Sequence, residues 1–570
     1  MITPRHGWSL ALTDALLIGI MAVLAACGLL YEYLLSHYAG RVLGAVEHAI
    51  YTTIGLMIVF MGLGSFAARR IKDAFSGFAW LELVLGLTGA SSILLIAGAI
   101  AVSFELPRLL SSTFNLPADV LPSGGLVDAL YQAARFLPYV AAAFLGFLIG
   151  IEIPLIARVR ETLYQKHLTH NAGTIYGADY LGAGAGAAIW ISWMMSLDVN
   201  QAAVYTATLN LAAGCLILIT FWRQIKRPVA LLSMQVLSGL LVLFLALYGN
   251  HWMHTFTDML YSDKVVFQQQ TRYQQIVISE RHLNNQDTVL NLYLNGRLQF
   301  SSADEQIYHE SLVHPAMAAS ARQQKVLVIG GGDGLALREI FKWPVKEVEL
   351  VELDKQMIAL FKDPSQYLSP RLAAQINKLT QDALSDTRLT IHIADAFNYV
   401  DQLVAEQKYF DVIIVDLPDP NHPDLNKLYT DYFYARLKQV LSADGTIVVQ
   451  STSPFHARNA FISIGKTLAA AGFTQVEQYQ QNVPSFGQWG WSLATRQGQA
   501  PSDRLQQAEL PTTLNWLTPE LMFASFAFSK SFYSNQDKVK INRLGSQVLF
   551  NYHDLAWRQQ RGIMILPETN

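Results

Sequence analysis

Cysteine is almost absent: the 570 residues contain two, Cys27 and Cys215, and both lie inside apolar runs. Two cysteines so placed exclude a disulfide framework, and no clustered ligands have the spacing of a zinc site, so no metal is expected. Charge is scarce too. Asp, Glu, Lys and Arg make up 15% of the chain, against roughly 25% in ordinary soluble domains. The formal net charge is -3, so there is no basic excess and a nucleic-acid partner is not expected. The scarcity is also uneven. Only 25 of the first 250 residues are charged, whereas 60 of the remaining 320 are. An oil-rich front half joined to a near-normal soluble back half excludes a single soluble globule. The N-terminal apolar run is too long for a signal peptide, and no small-residue cleavage site follows it.

What the front half has is long hydrophobic runs. A helix needs about 20 mostly apolar residues to cross roughly 30 Å of hydrocarbon. Seven candidate spans are present, at about 12–36, 45–67, 78–102, 136–157, 175–196, 201–222 and 229–249. They imply a multi-pass helical membrane domain over 1–250, with the lipid bilayer as partner. Gly182 and Gly186 in LGAGAGAA suit close helix packing. Arg69, Arg70 and Lys72 follow the second run, Arg158, Arg160 and Lys166 the fourth, and Arg223, Lys226 and Arg227 the sixth. The positive-inside rule makes these loops cytoplasmic, and seven spans then carry the back half outside. The chemistry of that back half points instead to a cytoplasmic location, so the two expectations oppose each other, and the long 103–135 connection is where a miscount would fall. Glu32, Glu82, Glu152 and Asp179 lie in or near spans. An ion at bilayer depth is costly, so these acids read either as local pairs at span ends or as a path for a cationic solute.

The back half alternates. Short β-rich runs, KVVFQQQTRYQQIVISE and TVLNLYLNGRLQF, lie between about 263 and 300 in a segment bounded as 251–303, and Asn295–Gly296 signals a hairpin in what reads as a small antiparallel sheet. A helix is expected at about 304–321. Then KVLVIG, EVELVEL, LTIHIA, DVIIVD and GTIVVQ are compact strands, most of them separated by helical stretches. That pattern predicts a Rossmann-like α/β domain over 304–500, with ligands beyond the C-terminal strand ends. A C-terminal helical extension, 501–570, follows; the sequence leaves open whether it packs beside the site or forms an oligomer contact.

Unusual residues cluster at those strand ends. Gly330–Gly331–Gly332–Asp333–Gly334 follows the first strand, where glycines permit a tight turn and close approach to a ligand. Glu352 ends the next strand about 20 residues on, the spacing at which an acid accepts hydrogen bonds from ribose hydroxyls. Asp333 would repel a pyrophosphate, and no G-x-x-x-x-G-K-[ST] run occurs in the soluble half, so a neutral or cationic nucleoside such as a sulfonium fits better. Asp395 ends the third strand. The fourth runs into Asp416–Leu417–Pro418–Asp419–Pro420–Asn421–His422–Pro423, an anionic lip stiffened by three prolines. So many carboxylates without a counter-charge motif call for a cationic substrate.

At these residues the chain resembles the spermidine synthase family, the polyamine aminopropyltransferases. YQQIVIS, DEQIYHE, VLVIGGGDG, VELD, DVIIVDLPDP and LYTDYFY occur in the family's order from about Tyr261 to the mid-490s. The PSFGQWGWSLA stretch and the multi-span front half look like the family's membrane-attached branch. The resemblance implies aminopropyl transfer from decarboxylated S-adenosylmethionine, a co-substrate and not a resident cofactor, to an amine such as putrescine. It implies Asp416 as proton acceptor. His309, Asp333 and Asp419 would bind the polyamine, with Tyr308 and Tyr429 as walls for its methylene chain. Gln274, Gly330, Gly332, Glu352, Asp395, Ala396 and Pro423 would hold the nucleoside donor; Ala396 stands where a glycine often follows the acid. Trp489 and Trp491 read as core or lid packing. A methyltransferase shares the sheet and the nucleoside acids, but would need a cation for its donor's carboxylate. A polyamine transporter or sensor with a ligand-binding Rossmann domain is the other alternative.

Overall fold

The computed structural model describes residues 10–43, 46–114, 122, 124–164, 170–261, 263–283, 287–506 and 508–560. Two compact units divide the chain, 1–265 and 266–570.

The first unit contains seven long helices among the described residues: α1 (Leu10–Leu43), α2 (Val46–Ala67), α3 (Ala74–Thr113), α4 (Gly125–Tyr164), α5 (Asn171–Ser192), α6 (Val199–Thr220) and α7 (Pro228–Leu260). Asp73 starts α3 by accepting a hydrogen bond from Ser76 N at 3.2 Å, and Pro228 occupies the first turn of α7, where its missing N–H costs nothing. Six of the seven are long and apolar enough to cross a membrane. The exception is α5, which carries Asn171, Asp179 and five glycines. Its small residues serve packing: a Cβ on Gly182 or Gly186 would strike the α1 backbone at Ala22 or Ala26.

Polar contacts show which helix ends lie together. The Arg160 guanidinium, in the last part of α4, holds Asp14 near the start of α1 at 2.6 and 2.9 Å. Arg158 donates to the carbonyls of Ala68 and Lys72 after α2. Lys226, before α7, donates its backbone N–H to Ser76 Oγ at the start of α3. The three basic segments therefore share one end of this unit; Lys166 lies outside the described residues. At the other end Arg108 of α3 donates to the carbonyls of Met259 and Tyr261, and Asn250 of α7 donates to Asp198 before α6. The helices alternate, and the chain leaves α7 at the end away from its basic segments.

The second unit opens with β1 (Lys264–Gln270), β2 (Gln275–Leu283), β3 (Asp287–Leu294) and β4 (Arg297–Ser301), a four-stranded sheet in sequence order. The β2–β3 and β3–β4 pairs are antiparallel. Asn295 and Gly296 join β3 to β4 with φ of 51° and 75°, the two left-handed residues that a tight hairpin requires. Helix α8 (Glu305–Ala319) follows.

Next come β5 (Lys325–Gly330), α9 (Leu335–Ile340), β6 (Glu347–Glu352), α10 (Lys355–Lys362), α11 (Pro370–Thr380), β7 (Leu389–Ile393) and α12 (Ala396–Ala405). Strand β8 (Phe410–Asp416), α13 (Pro423–Asn426), α14 (Asp431–Val440), β9 (Leu441–Gln450), α15 (Arg458–Ala470), β10 (Gln475–Val483) and β11 (Gly487–Thr495) complete the sheet. Its order is β10-β11-β9-β8-β5-β6-β7, with β5 to β9 parallel and β10 and β11 antiparallel. The chain order reverses between β5 and β8, the crevice where open α/β sheets bind ligands. Successive residues feed opposite faces. Val326, Val328, Leu350, Val412 and Ile414 join one core, and Leu327, Ile329, Val351, Ile413 and Val415 the other. The antiparallel pair is not among the strands read from the sequence, where Trp489 and Trp491 read as core or lid packing. Trp491 within it is fully buried, whereas Trp489 faces the cavity described below. The tail holds α16 (Pro501–Leu505), α17 (Pro519–Ala524) and α18 (Val548–Gln560); Leu549 of α18 enters the core beside α15.

Candidate active site

A cavity of about 210 Å³ lies over the β5/β8 crevice, walled on one side by β3 and β4. The turn after β5 forms its floor. Gly330 has φ of 79° and its backbone packs directly against the Asp416 carbonyl, while a Cβ on Gly332 would sit 2.9 Å from Glu352 Oε2. Gly330 requires glycine for its left-handed backbone and the facing carbonyl, whereas a side chain at Gly332 would displace the Glu352 carboxylate; the turn brings the ends of β5, β6 and β8 together.

Eleven of the thirteen predicted site residues line this cavity: Gln274, Tyr308, His309, Gly330, Gly332, Asp333, Glu352, Asp395, Ala396, Asp416 and Asp419. Tyr429 and Pro423 are not among the lining residues. Tyr429 is fully buried and its hydroxyl donates to the Pro418 carbonyl at 3.0 Å, so it supports the anionic lip from beneath. Pro423 is instead the first residue of α13.

Each acid is held differently. Asp416 Oδ1 accepts a hydrogen bond from the Tyr308 hydroxyl at 2.7 Å. Burial, reinforced by the Asp333 charge and opposed by His309 and Tyr308, pushes Asp416 up to about 6. Burial likewise raises Asp333, whose Oδ1 caps Leu335 N at 2.9 Å. Glu352 is raised to about 7 by burial and by Asp354, against backbone N–H donors from Asp354 and Leu353. Asp419 goes the other way. Burial would raise it, but His553, Gln450 and Arg297 outweigh burial and hold it below the usual carboxylate range. Asp395 caps α12 through Phe397 N and pairs with Lys427 Nζ at 2.6 Å.

His309 faces the acids but is anchored from behind. Its Nδ1 lies 2.8 Å from both the backbone carbonyl and Oε2 of Glu305, and the Arg338 guanidinium clasps Glu305 at 2.8 and 2.9 Å. Burial lowers the imidazole, yet Glu305, Asp333 and Asp416 prevail and raise it. Gln274 similarly leans on a support, donating to Asp354 Oδ2 at 3.0 Å beside Thr271 at 2.7 Å.

Sequence reasoning missed four participants. Gln450 ends β9 and donates to Asp419 Oδ1 at 3.1 Å; its place at a C-terminal strand end was a usable signal. Thr452 donates to Asp419 Oδ2 at 3.2 Å from a left-handed backbone, φ 59°, a strained conformation for a β-branched residue. Arg297 of β4 lines the cavity and supplies a counter-charge that the acidic motifs did not announce. His553 of α18 lies 3.0 Å from Asp419 Oδ2, and nothing local marks it.

Residues 305–506 match the spermine/spermidine synthase domain. A polyamine aminopropyltransferase of Shewanella oneidensis is 53% identical over 561 residues, covering 98% of this chain and 97% of that protein. Polyamine aminopropyltransferase 1 of Streptomyces coelicolor is 32% identical over 94% of this chain and 93% of its own length. A crystal structure of spermidine synthase in complex with the transition state analogue AdoDATO is 27% identical over 48% of this chain and 90% of that one, with a TM-score of 0.42. Identity that runs the whole length, helical unit included, settles the relationship: the chain belongs to the polyamine aminopropyltransferase family.

Proposed function

We propose that the cavity transfers the aminopropyl group of decarboxylated S-adenosylmethionine to putrescine, giving spermidine and methylthioadenosine. The observation that carries this reading is one cavity wall bearing Asp333, Asp416 and Asp419 around a glycine turn backed by Glu352. A primary ammonium has a pKa near 10.4 in water and no lone pair to attack with. Asp416, lifted to about 6 and steadied by Tyr308, is a stronger base than an exposed carboxylate and remains ionised at neutral pH. It takes the proton as the amine nitrogen forms its bond to the aminopropyl carbon and the carbon–sulfur bond breaks. The electron pair returns to sulfur, so the sulfonium leaves as a neutral thioether. Asp419 is kept anionic by its donors and holds the distal ammonium by a charge-assisted hydrogen bond. Glu352 and Gln274 hold the nucleoside ribose, and Asp395 and Ala396 border the adenine. His309 balances the acid cluster and is held in place by Glu305. Six long apolar helices attach the enzyme to a membrane in this reading.

Product analysis of the purified full chain with the decarboxylated donor and a panel of diamines tests it. Spermidine and methylthioadenosine in equal amounts are expected; methylated amine from S-adenosylmethionine instead would identify a methyltransferase.

A further inference from the structure

The helical unit has a polar interior that aminopropyl transfer does not use. Glu82 of α3 and Asn210 of α6 are fully buried, and Glu152 of α4 and Gln235 of α7 nearly so. Asn210 Nδ2 donates to Glu82 Oε2 at 2.8 Å, which fixes the amide and leaves its oxygen as an acceptor. Among the described residues, Glu82 Oε1, Asn210 Oδ1 and both polar atoms of the Gln235 amide are buried without a hydrogen-bond partner. These groups converge on one place. A Cβ on Gly214 would lie 2.5 Å from Gln235 Nε2 and 3.4 Å from Glu82 Cβ, and Asn210 is one helical turn before Gly214 on the same face of α6.

The charge there is unbalanced. Glu152 is near enough to act on Glu82, and Asp179 on Glu152. Among the described residues no lysine, arginine or histidine forms a salt bridge with Glu82 or Glu152; the neighbouring Arg160 is committed to Asp14 and Asn171. Buried polar groups are ordinarily satisfied, so unmet acceptors beside an uncompensated carboxylate mark a place for something that donates. Glu82 Oε1 and Asn210 Oδ1 supply two acceptors and Gln235 a third once its unpartnered amide is turned to present Oε1 in place of Nε2, matching the three N–H donors of an ammonium group, which accepts nothing in return. Leu211 and Ala207, buried on the same helix, provide apolar surface suited to an attached alkyl chain.

We propose that Glu82, Asn210 and Gln235 form a binding site for a primary alkylammonium ion within the helical unit, with Glu152 as a second counter-charge. The site is independent of Asp416 and of the transfer reaction.

Equilibrium dialysis of the detergent-solubilised full chain against radiolabelled putrescine tests it, using Glu82→Gln, Gly214→Ala and Asp419→Asn. Glu82→Gln and Gly214→Ala should each weaken one class of bound amine by about tenfold or more while aminopropyl turnover persists. Asp419→Asn should leave that class in place, which separates failure of this site from failure of the catalytic reading. Unchanged amine binding in both helical-unit variants overturns the proposal. So does displacement of the amine by sodium but not by choline at equal ionic strength, which would assign the site to an inorganic cation. Wild-type protein supplies a check that needs no variant. Methylammonium should slow modification of Glu82 by a hydrophobic carbodiimide, read by peptide mass spectrometry, and an unaltered rate counts against the site.

Discussion

His553, on a helix beyond the matched synthase domain, places its Nε2 3.0 Å from Asp419 Oδ2 across 134 residues of sequence. It is buried, with the Trp557 indole packed against it. Asp419 thus takes its position from the C-terminal tail as well as from Gln450 and Thr452. His553→Ala should raise KM for the amine by about tenfold with a smaller loss in kcat, because the anchor shifts and the proton acceptor does not. His553→Gln, which keeps a donor, should restore most of the affinity. Steady-state kinetics on both variants decides; equal falls in kcat and in stability would indicate simple loosening of the tail.

Asp416 gives the enzyme a pH signature. Its base form is lost as pH falls through about 6, so kcat/KM should drop below that value. Asp416→Asn should lose a factor of about 10² to 10⁴ in turnover yet still bind methylthioadenosine. Stability should move oppositely. A carboxyl raised in the folded state binds its proton there more tightly, so its contribution is full at low pH and is lost as pH rises from its ordinary value through about 6. Asp416→Asn should therefore raise Tm at pH 7.5 and leave it unchanged near pH 3.5. A lower Tm at pH 7.5 would contradict the burial argument.

Gly332 and Glu352 make a second, steric test. Gly332→Ala inserts a methyl group 2.9 Å from Glu352 Oε2, and the carboxylate has to turn away from the nucleoside pocket. Calorimetric affinity for methylthioadenosine should fall by about tenfold or more with the far-ultraviolet spectrum unchanged. Affinity equal to wild type would remove Glu352 from the nucleoside's contacts.

The alternation of the seven helices makes a topological prediction that does not depend on which side is cytoplasmic. In a cysteine-free background, Lys226→Cys among the basic segments and Phe455→Cys on the catalytic unit should react with a membrane-impermeant thiol reagent from opposite sides. Reaction of both from one side would mean that α7, the one helix of this unit between the two positions, does not cross.

Much of this was legible in the sequence because it depends on local chemistry. Apolar runs of 20 residues, β-branched strands followed by glycine or acid, and Asn295–Gly296 constrain the backbone wherever they occur. Strand ends then placed Asp333, Glu352, Asp395 and Asp416 on one rim, since residues ending parallel strands necessarily share an edge. Of the two opposed localisation expectations, one followed from the count of spans and basic loops and the other from the chemistry of the back half. Other features depend on chain segments meeting in space, and no local pattern encodes that. Tyr429 looked like a wall and proved to be a buried strut, because the proline-rich lip folds over it. His553, Gln450 and Arg297 reach Asp419 or its cavity only once α18, β9 and β4 have packed. Glu82, Asn210 and Gln235 stand on three helices whose mutual rotation sets which faces turn inward. The residue types and their order determined the strands, the glycine turn and the ring of acids; close packing of distant elements decided which acids are raised, which is lowered, and what stands behind each.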